Sequence, residues 1–291
     1  MSLLLVMITI MLALRKLRPG PLEGSERLRR RVREVCTAFN VSSRVTSLQL
    51  RHIYVDDTRR ILYCSAQKVA STAWKKVWLR LTSPPQTKTV SSTNRHDIHL
   101  RSQQNMLIQP KFEDVWQDML ASYRKFLFVR HPFERVVSAY RDKIQFVKDM
   151  EDSEIPQSIR KKISQNLGAS ASRAAAEEVV GFPEFVKFIV EQDDEDIIPW
   201  DSHWRSVHQL CNPCGIEYDF IGKFENLPDD ADYVLRWLGV EDLVGNFPAT
   251  QKSKAEADVA FQYLKELSSS IKMSFLAKYR LDFLSFHYEF D

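Results

Sequence analysis

Apolar residues fall along the chain in short unbroken runs separated by longer stripes of helical period. Ile61–Cys64 and Phe126–Val129 are wholly apolar and of strand length, and Tyr218–Gly222 is a third candidate strand. His52–Val55 is a fourth, joined to the Ile61 run across the turn pair Asp56-Asp57. Between these runs the pattern predicts helices over Ser71–Leu81, stopped by Pro84-Pro85, over Phe112–Tyr123, and from Pro132 to about Val147. Further helices are expected over Phe182–Glu191 and Asp229–Leu238. Ala260, Leu264, Leu267, Ile271 and Phe275 recur at three- and four-residue steps and predict one apolar helical face. Glu26–Phe39, with Arg27, Arg29, Arg30, Arg31 and Arg33, reads as a solvated stem helix. Strands interleaved with helices predict an α/β fold, a three-layer domain with a mainly parallel central sheet.

Composition narrows the function. A chain of 291 residues supplies one large domain or two small ones, with no need of staples to hold a core. Its 8 glycines are few for a dinucleotide fold built on glycine-rich turns, and a net charge of +3 is too mild to argue for nucleic acid. No repeat of solenoid period occurs. The polar stretches Thr87–Asn105 and Asp149–Glu178 read as a loop and a surface excursion.

The amino terminus points to the secretory pathway. Leu3–Leu14 is an apolar run, shorter than the roughly 20 residues of a spanning helix and of the length of a signal-peptide core. Arg15, Lys16 and Arg18 follow it, a charge order opposite to the one that favours a lumenal domain. Residues 1–25 are therefore expected to be a signal or anchor with its stem, and 26–291 a single catalytic domain. Asn40-Val41-Ser42 is a glycosylation sequon. Cys36, Cys64, Cys211 and Cys214 form an even set compatible with two disulfides in an oxidising lumen. Cys211-Asn212-Pro213-Cys214 has the spacing of half a zinc site, but no second ligand pair accompanies it, so a disulfide is expected and a metal is not.

Chemistry enters where strands meet helices. Cys64 to Trp74 joins an apolar strand to a helix through Ser65-Ala66-Gln67-Lys68-Val69-Ala70. Such a turn aims unpaired N–H groups and the positive end of the helix dipole at one point, so Gln67, Lys68, Val69, Ala70, Ser71, Thr72 and Ala73 form a P-loop-like phosphate cradle. Walker glycines are absent, which counts against a nucleotide-dependent kinase. The design recurs at Phe126–Tyr140: a buried strand ends in Arg130, Pro132 opens a helix, and Ser138 lies on its second turn. Two anion sites at the carboxyl ends of parallel strands suit a nucleotide with phosphates at its 5' and 3' positions.

These segments resemble the 5'-phosphosulfate and 3'-phosphate motifs of sulfotransferases. Lys68-Val69-Ala70-Ser71-Thr72-Ala73-Trp74-Lys75 and Phe128-Val129-Arg130-His131-Pro132-Phe133-Glu134-Arg135 are similar to the Golgi carbohydrate sulfotransferases of the chondroitin 4-O and HNK-1 group. So are Asp201-Ser202-His203-Trp204, His208 to Cys214, Tyr218 to Glu225, and Tyr279-Arg280-Leu281-Asp282-Phe283. The likeness runs from about Arg29 to the C terminus, with cysteine more usual at Ser71 and asparagine at Ala73. It implies the sulfotransferase fold, 3'-phosphoadenylyl sulfate (PAPS) as co-substrate without a metal, and a glycosaminoglycan or glycoprotein glycan as acceptor. It further implies a single-pass type II Golgi membrane protein with a lumenal catalytic domain and no nucleic-acid partner. The 4-O position of N-acetylgalactosamine in chondroitin or dermatan is the expected target, with an HNK-1-type activity or a non-catalytic, lectin-like glycan binder as alternatives.

Transfer of a sulfuryl group builds negative charge on the oxygen leaving with the 5'-phosphate, where Lys68 is expected to act. Among the seven histidines, His203 is the expected base for the acceptor hydroxyl, beside Trp204, a ring suited to stacking on a sugar. Arg95, His96, His99 and Arg101 in one basic loop, and Arg205 beside His203, are expected to attract an acidic glycan.

Overall fold

The computed structural model describes residues 19–82, 98, 113–145, 180–192, 201–248 and 255–290. The apolar run Leu3–Leu14, the surface excursion and nearly all of the Thr87–Asn105 loop lie outside them. Four strands form one sheet in sequence order: β1 (Ile53–Asp56), β2 (Ile61–Cys64), β3 (Arg124–Val129) and β4 (Phe220–Lys223). β1 and β2 are an antiparallel hairpin, whereas β2–β3 and β3–β4 are parallel, so the sheet is mainly parallel. Among the described residues the α-helices of five residues or more are α1 (Pro21–Ala38), α2 (Ser71–Thr82), α3 (Glu113–Ser122), α4 (Pro132–Tyr140), α5 (Phe182–Glu191), α6 (Val207–Cys211), α7 (Leu227–Leu238), α8 (Ala255–Glu266) and α9 (Ser269–Ser285).

Alternation along the strands assigns the two faces of the sheet. Tyr63 is opposite Phe126 in the register, and with Phe128 they meet Trp74 and Trp78 of α2. Gly222 lies under Phe128, whose ring would be 2.4 Å from a Cβ there, so a side chain at this point of β4 would collide with the core. Phe220, on the same side of β4, stacks on Tyr233 of α7. Cys64 and Leu127 point the other way, and Cys64 is joined there to Cys211 of α6. Helices thus cover both faces, and runs such as Phe126–Val129 are apolar throughout because neither face meets water.

Three readings from the sequence need correction. α1 is no solvated stem: Ser25, Leu28, Val32 and Val35 are buried at helical spacing, and the Ser25 hydroxyl accepts from the Ile221 N–H at 2.8 Å. Its arginines occupy the outer positions and conceal a narrow apolar stripe. The apolar face from Ala260 to Phe275 is divided between α8 and α9, because Ser268 interrupts it and its hydroxyl accepts from the Ile271 N–H at 3.4 Å. The helix from Pro132 is α-helical only to Tyr140 and continues as a π turn over Arg141–Gln145.

A second buried cluster gathers Phe133, Val136 and Tyr140 of α4 with Phe182 and Phe185 of α5 and Phe275, Tyr279 and Phe283 of α9. The disulfides are Cys36–Cys214 and Cys64–Cys211, so the Cys-x-x-Cys pair bonds outward to two different elements. Among the described residues no helix is long and apolar enough to cross a membrane, and no group of side chains could hold a metal ion.

Candidate active site

The parallel register brings the carboxyl ends of β2, β3 and β4 to one edge of the sheet. The first element there is the loop from Ser65 to Ala70. Lys68 and Ala70 have φ of +67° and +54°, left-handed values that side-chain-bearing residues seldom adopt. Two such residues separated by a single residue curl the chain so that successive N–H groups face a common concavity, the geometry of an anion nest. α2 follows at once. The Trp74 N–H already bonds Ala70, which leaves those of Ser71, Thr72 and Ala73 without an acceptor in the helix. Val69 and Ala73 bury their side chains, so their contribution is backbone alone. The Ser71 hydroxyl differs from expectation: it is buried and lies 3.1 Å from Gln67 Oε1, to which it donates.

The second element is the turn from β3 to α4. Arg130 is buried, with Nη1 3.4 Å from the Lys68 carbonyl, Nη2 3.4 Å from Glu134, and its guanidinium over the Phe224 ring at 4.5 Å. These contacts bring Arg130 and Lys68 to one site. Ser138 is half-buried on the second turn of α4. The His131 N–H donates to Glu225 at 3.0 Å, and Nδ1 accepts from the Glu134 N–H. His131 Nε2 is 2.7 Å from the Glu289 carbonyl, which only accepts, so Nε2 carries the proton.

Between the two turns stands Arg135, a residue that motif reading left without a role. Its side chain is 0% exposed. Nε donates to the Gln67 carbonyl at 2.9 Å, Nη1 to the Arg205 carbonyl at 2.6 Å and Nη2 to the Ser202 carbonyl at 3.2 Å. One guanidinium therefore fixes the cradle and the Asp201–His203 turn, which ends in half-buried His203, to the same point of α4. Arg135 sits four residues before Ala139 and one after Glu134, on the inward face of an apolar helix; a charge in that stripe was the signal to follow.

Other expected site residues land elsewhere. Trp204 is 2% exposed, edge-on to Phe185, and has no open face for a sugar. Arg205 is buried and its charge acts on His52 below the cradle. Arg95, His96, His99 and Arg101 lie outside the described residues. Positive charge is concentrated under the site: burial pushes His52 down to about 4, and Arg135, Lys75, Arg205 and Arg51 push in the same direction. His52 is neutral there, and the surrounding cations supply the field that an anionic ligand would meet.

Comparison with known proteins settles the family. Its model for the sulfotransferase family matches residues 51–289, which include both turns, the Arg135 hub and the C-terminal helix. The chain belongs to the sulfotransferase family. It is 35% identical over 266 residues to carbohydrate sulfotransferase 11 of Danio rerio, covering 89% of this chain and 74% of that protein. The rat protein of the same name is 33% identical over the same shares. Human carbohydrate sulfotransferase 8 is 32% identical over 290 residues, 94% of this chain and 66% of the relative. No solved structure matches the chain. The enzyme's class, sulfuryl transfer, accords with a site that gathers cations and backbone donors at one sheet edge.

Two further acidic residues organise this sulfotransferase and were not foreseen. Asp282 of α9 accepts from the Val207 and His208 N–H groups at 2.7 and 3.0 Å and so caps α6, which links two of the family-like motifs. Glu225, just past β4, accepts from the His131 N–H and from the Tyr288 hydroxyl at 2.8 Å, tying the C-terminal tail to the strand ends.

Proposed function

We propose that the enzyme transfers the sulfuryl group of 3'-phosphoadenylyl sulfate to a sugar hydroxyl of a glycan, the 4-O position of N-acetylgalactosamine in chondroitin or dermatan. The observation that carries the donor reading is the pairing of the left-handed Lys68–Ala70 nest with Arg130 at the same strand edge. The nest and the first turn of α2, from Gln67 to Ala73, would hold the 5'-phosphosulfate, and Arg130 with Ser138 the 3'-phosphate. In the reaction the acceptor oxygen bonds to sulfur as the bond from sulfur to the 5'-phosphate oxygen breaks. Lys68 would stabilise the charge on that leaving oxygen. The hydroxyl proton would pass to His203, a role supported by the way Arg135 holds both the cradle and the Ser202 carbonyl.

The acceptor side rests on charge and on the motif resemblance. Arg95, His99 and Arg101 are proposed to attract the acidic chain, whereas Trp204 and Arg205, both buried, support the site from within. Two disulfides support an oxidising compartment, and with the apolar Leu3–Leu14 run they support a lumenal Golgi enzyme of type II topology.

Incubation with labelled donor and a panel of desulfated glycans, followed by disaccharide analysis, tests this reading. Label in 4-O-sulfated N-acetylgalactosamine is the expected result, with turnover of Lys68→Ala lower by about two to three orders of magnitude. Incorporation into another sugar would overturn the acceptor assignment, and unchanged turnover of a folded Lys68→Ala enzyme would overturn the role of Lys68.

A further inference from the structure

Lys68 meets a carboxylate within its own fold. Its Nζ lies 2.9 Å from Asp142 Oδ2, with the two side chains only 11% and 24% exposed. The same oxygen is 3.4 Å from Lys143 Nζ. Asp142 belongs to the π turn that follows α4, four residues beyond Ser138, and so continues the helix face that bears the 3'-phosphate serine. A π turn inside a helix is uncommon and tends to occur where a side chain is re-aimed for function. The other end of the site repeats the arrangement: Glu134, also from α4, lies 3.4 Å from Arg130.

We propose that Asp142 is a positioning residue that competes with the nucleotide's 5'-phosphate for Lys68, and so weakens retention of the spent bisphosphate; this rests on the donor reading given above. An ammonium has three donors, so Lys68 can approach a phosphate while keeping Asp142 in reach. The carboxylate then stands close to the phosphate oxygens and repels them through a half-buried, weakly screened medium. The repulsion is not equal for the two nucleotides. A phosphate monoester carries about −1.5 to −2 at neutral pH, and the product bears one where the donor's phosphate was bridged to sulfur. The carboxylate therefore acts hardest on the product. Lys143 shares Asp142 with Lys68, which keeps the carboxylate from holding Lys68 outright.

The test uses the whole enzyme and adenosine 3',5'-bisphosphate as the probe, with titration calorimetry on the wild type, Asp142→Asn, Lys68→Met and the double variant. Asp142→Asn removes the charge and keeps the shape. Wild type should bind the probe, and Asp142→Asn should bind it about 5- to 20-fold tighter. In the Lys68→Met background the same change should gain less than about twofold, because it is Lys68, shared by both groups, that draws the carboxylate to the phosphate oxygens. Wild-type enzyme that does not bind the probe overturns the donor reading, and this inference with it. Binding by the wild type with equal or weaker binding by Asp142→Asn overturns the inference alone. An equal gain in both backgrounds shows that Asp142 does not act through Lys68 and also overturns it.

Discussion

The two strand-to-helix turns at the site reach similar ends by different means. From β3 to α4 the connection is short and locally specified. Pro132 presets the first helical residue, the His131 ring caps the Glu134 N–H, and Glu134 returns to Arg130 one turn back. From β2 to α2 the loop is longer, holds Lys68 and Ala70 in left-handed conformations, and contains no glycine or proline to make them easy. What holds it comes from far along the chain: Arg135 on the Gln67 carbonyl, and the Cys64–Cys211 bond at its root. The turn with the weaker local instructions has the stronger distant supports. A strained backbone persists only where its surroundings over-determine it, and such strain collects at ligand clamps.

The largest expected effect comes from removing the shared support. Arg135→Met leaves three carbonyls without their donor and should destabilise the enzyme by about 3 kcal/mol or more. Hydrogen exchange followed by mass spectrometry should show protection lost over residues 66–70 and 202–205, with 131–134 little changed. Equal loss in both turns would end the distinction drawn between them.

A comparable effect is expected from pH, through the cations under the longer loop. Folded His52 is pushed from its ordinary 6.5 to about 4 by burial and then by Arg135, Lys75, Arg205 and Arg51. Between those values the unfolded chain binds a proton that the folded enzyme does not, so stability rises with pH across this window and falls on acidification. The full loss on going from pH 6.5 to 4 is about 3 kcal/mol from this residue. His208, also lowered by burial against the raising effect of Asp282, acts in the same direction. Denaturant melts at a series of pH values should show the slope, and His52→Gln should reduce it; an unchanged slope would remove His52 as its source.

The smallest effect probes the strain directly. Ala70→Gly relieves a left-handed residue and should leave stability unchanged or raise it by up to about 1 kcal/mol, whereas glycine at an ordinary position lowers it. Because the nest loses its fixed curl, nucleotide affinity should fall at the same time. A variant that is less stable would show that Ala70 is not strained in the fold.

Much of this enzyme was legible from pattern alone. Ile61–Cys64 and Phe182–Glu191 have the bounds expected of them, because an unbroken apolar run and a clean helical stripe between breakers leave little choice. The residues proposed to hold the donor stood out because strand, loop and helix are contiguous in the chain, so Lys68 and Arg130 could be placed by local spacing. α1 was misread because five arginines outweigh four small or apolar positions in composition, although it is the buried stripe that packs. Trp204 was misread because an aromatic beside a histidine has the same sequence signature whether its ring faces a sugar or Phe185.

What the sequence determined by itself is the α/β class with its mainly parallel sheet, the bounds of the clearest strands and helices, and the residue types at the strand ends, all consequences of period and of short-range steric preference. The tertiary structure alone decided which distant groups meet. Arg135 joining Gln67 to Ser202, Asp282 capping α6, Cys36 choosing Cys214, and Asp142 reaching Lys68 all join residues far apart in the chain. No local propensity encodes such pairs; they follow from burying two apolar clusters at once, which fixes where every buried polar group must find its partner.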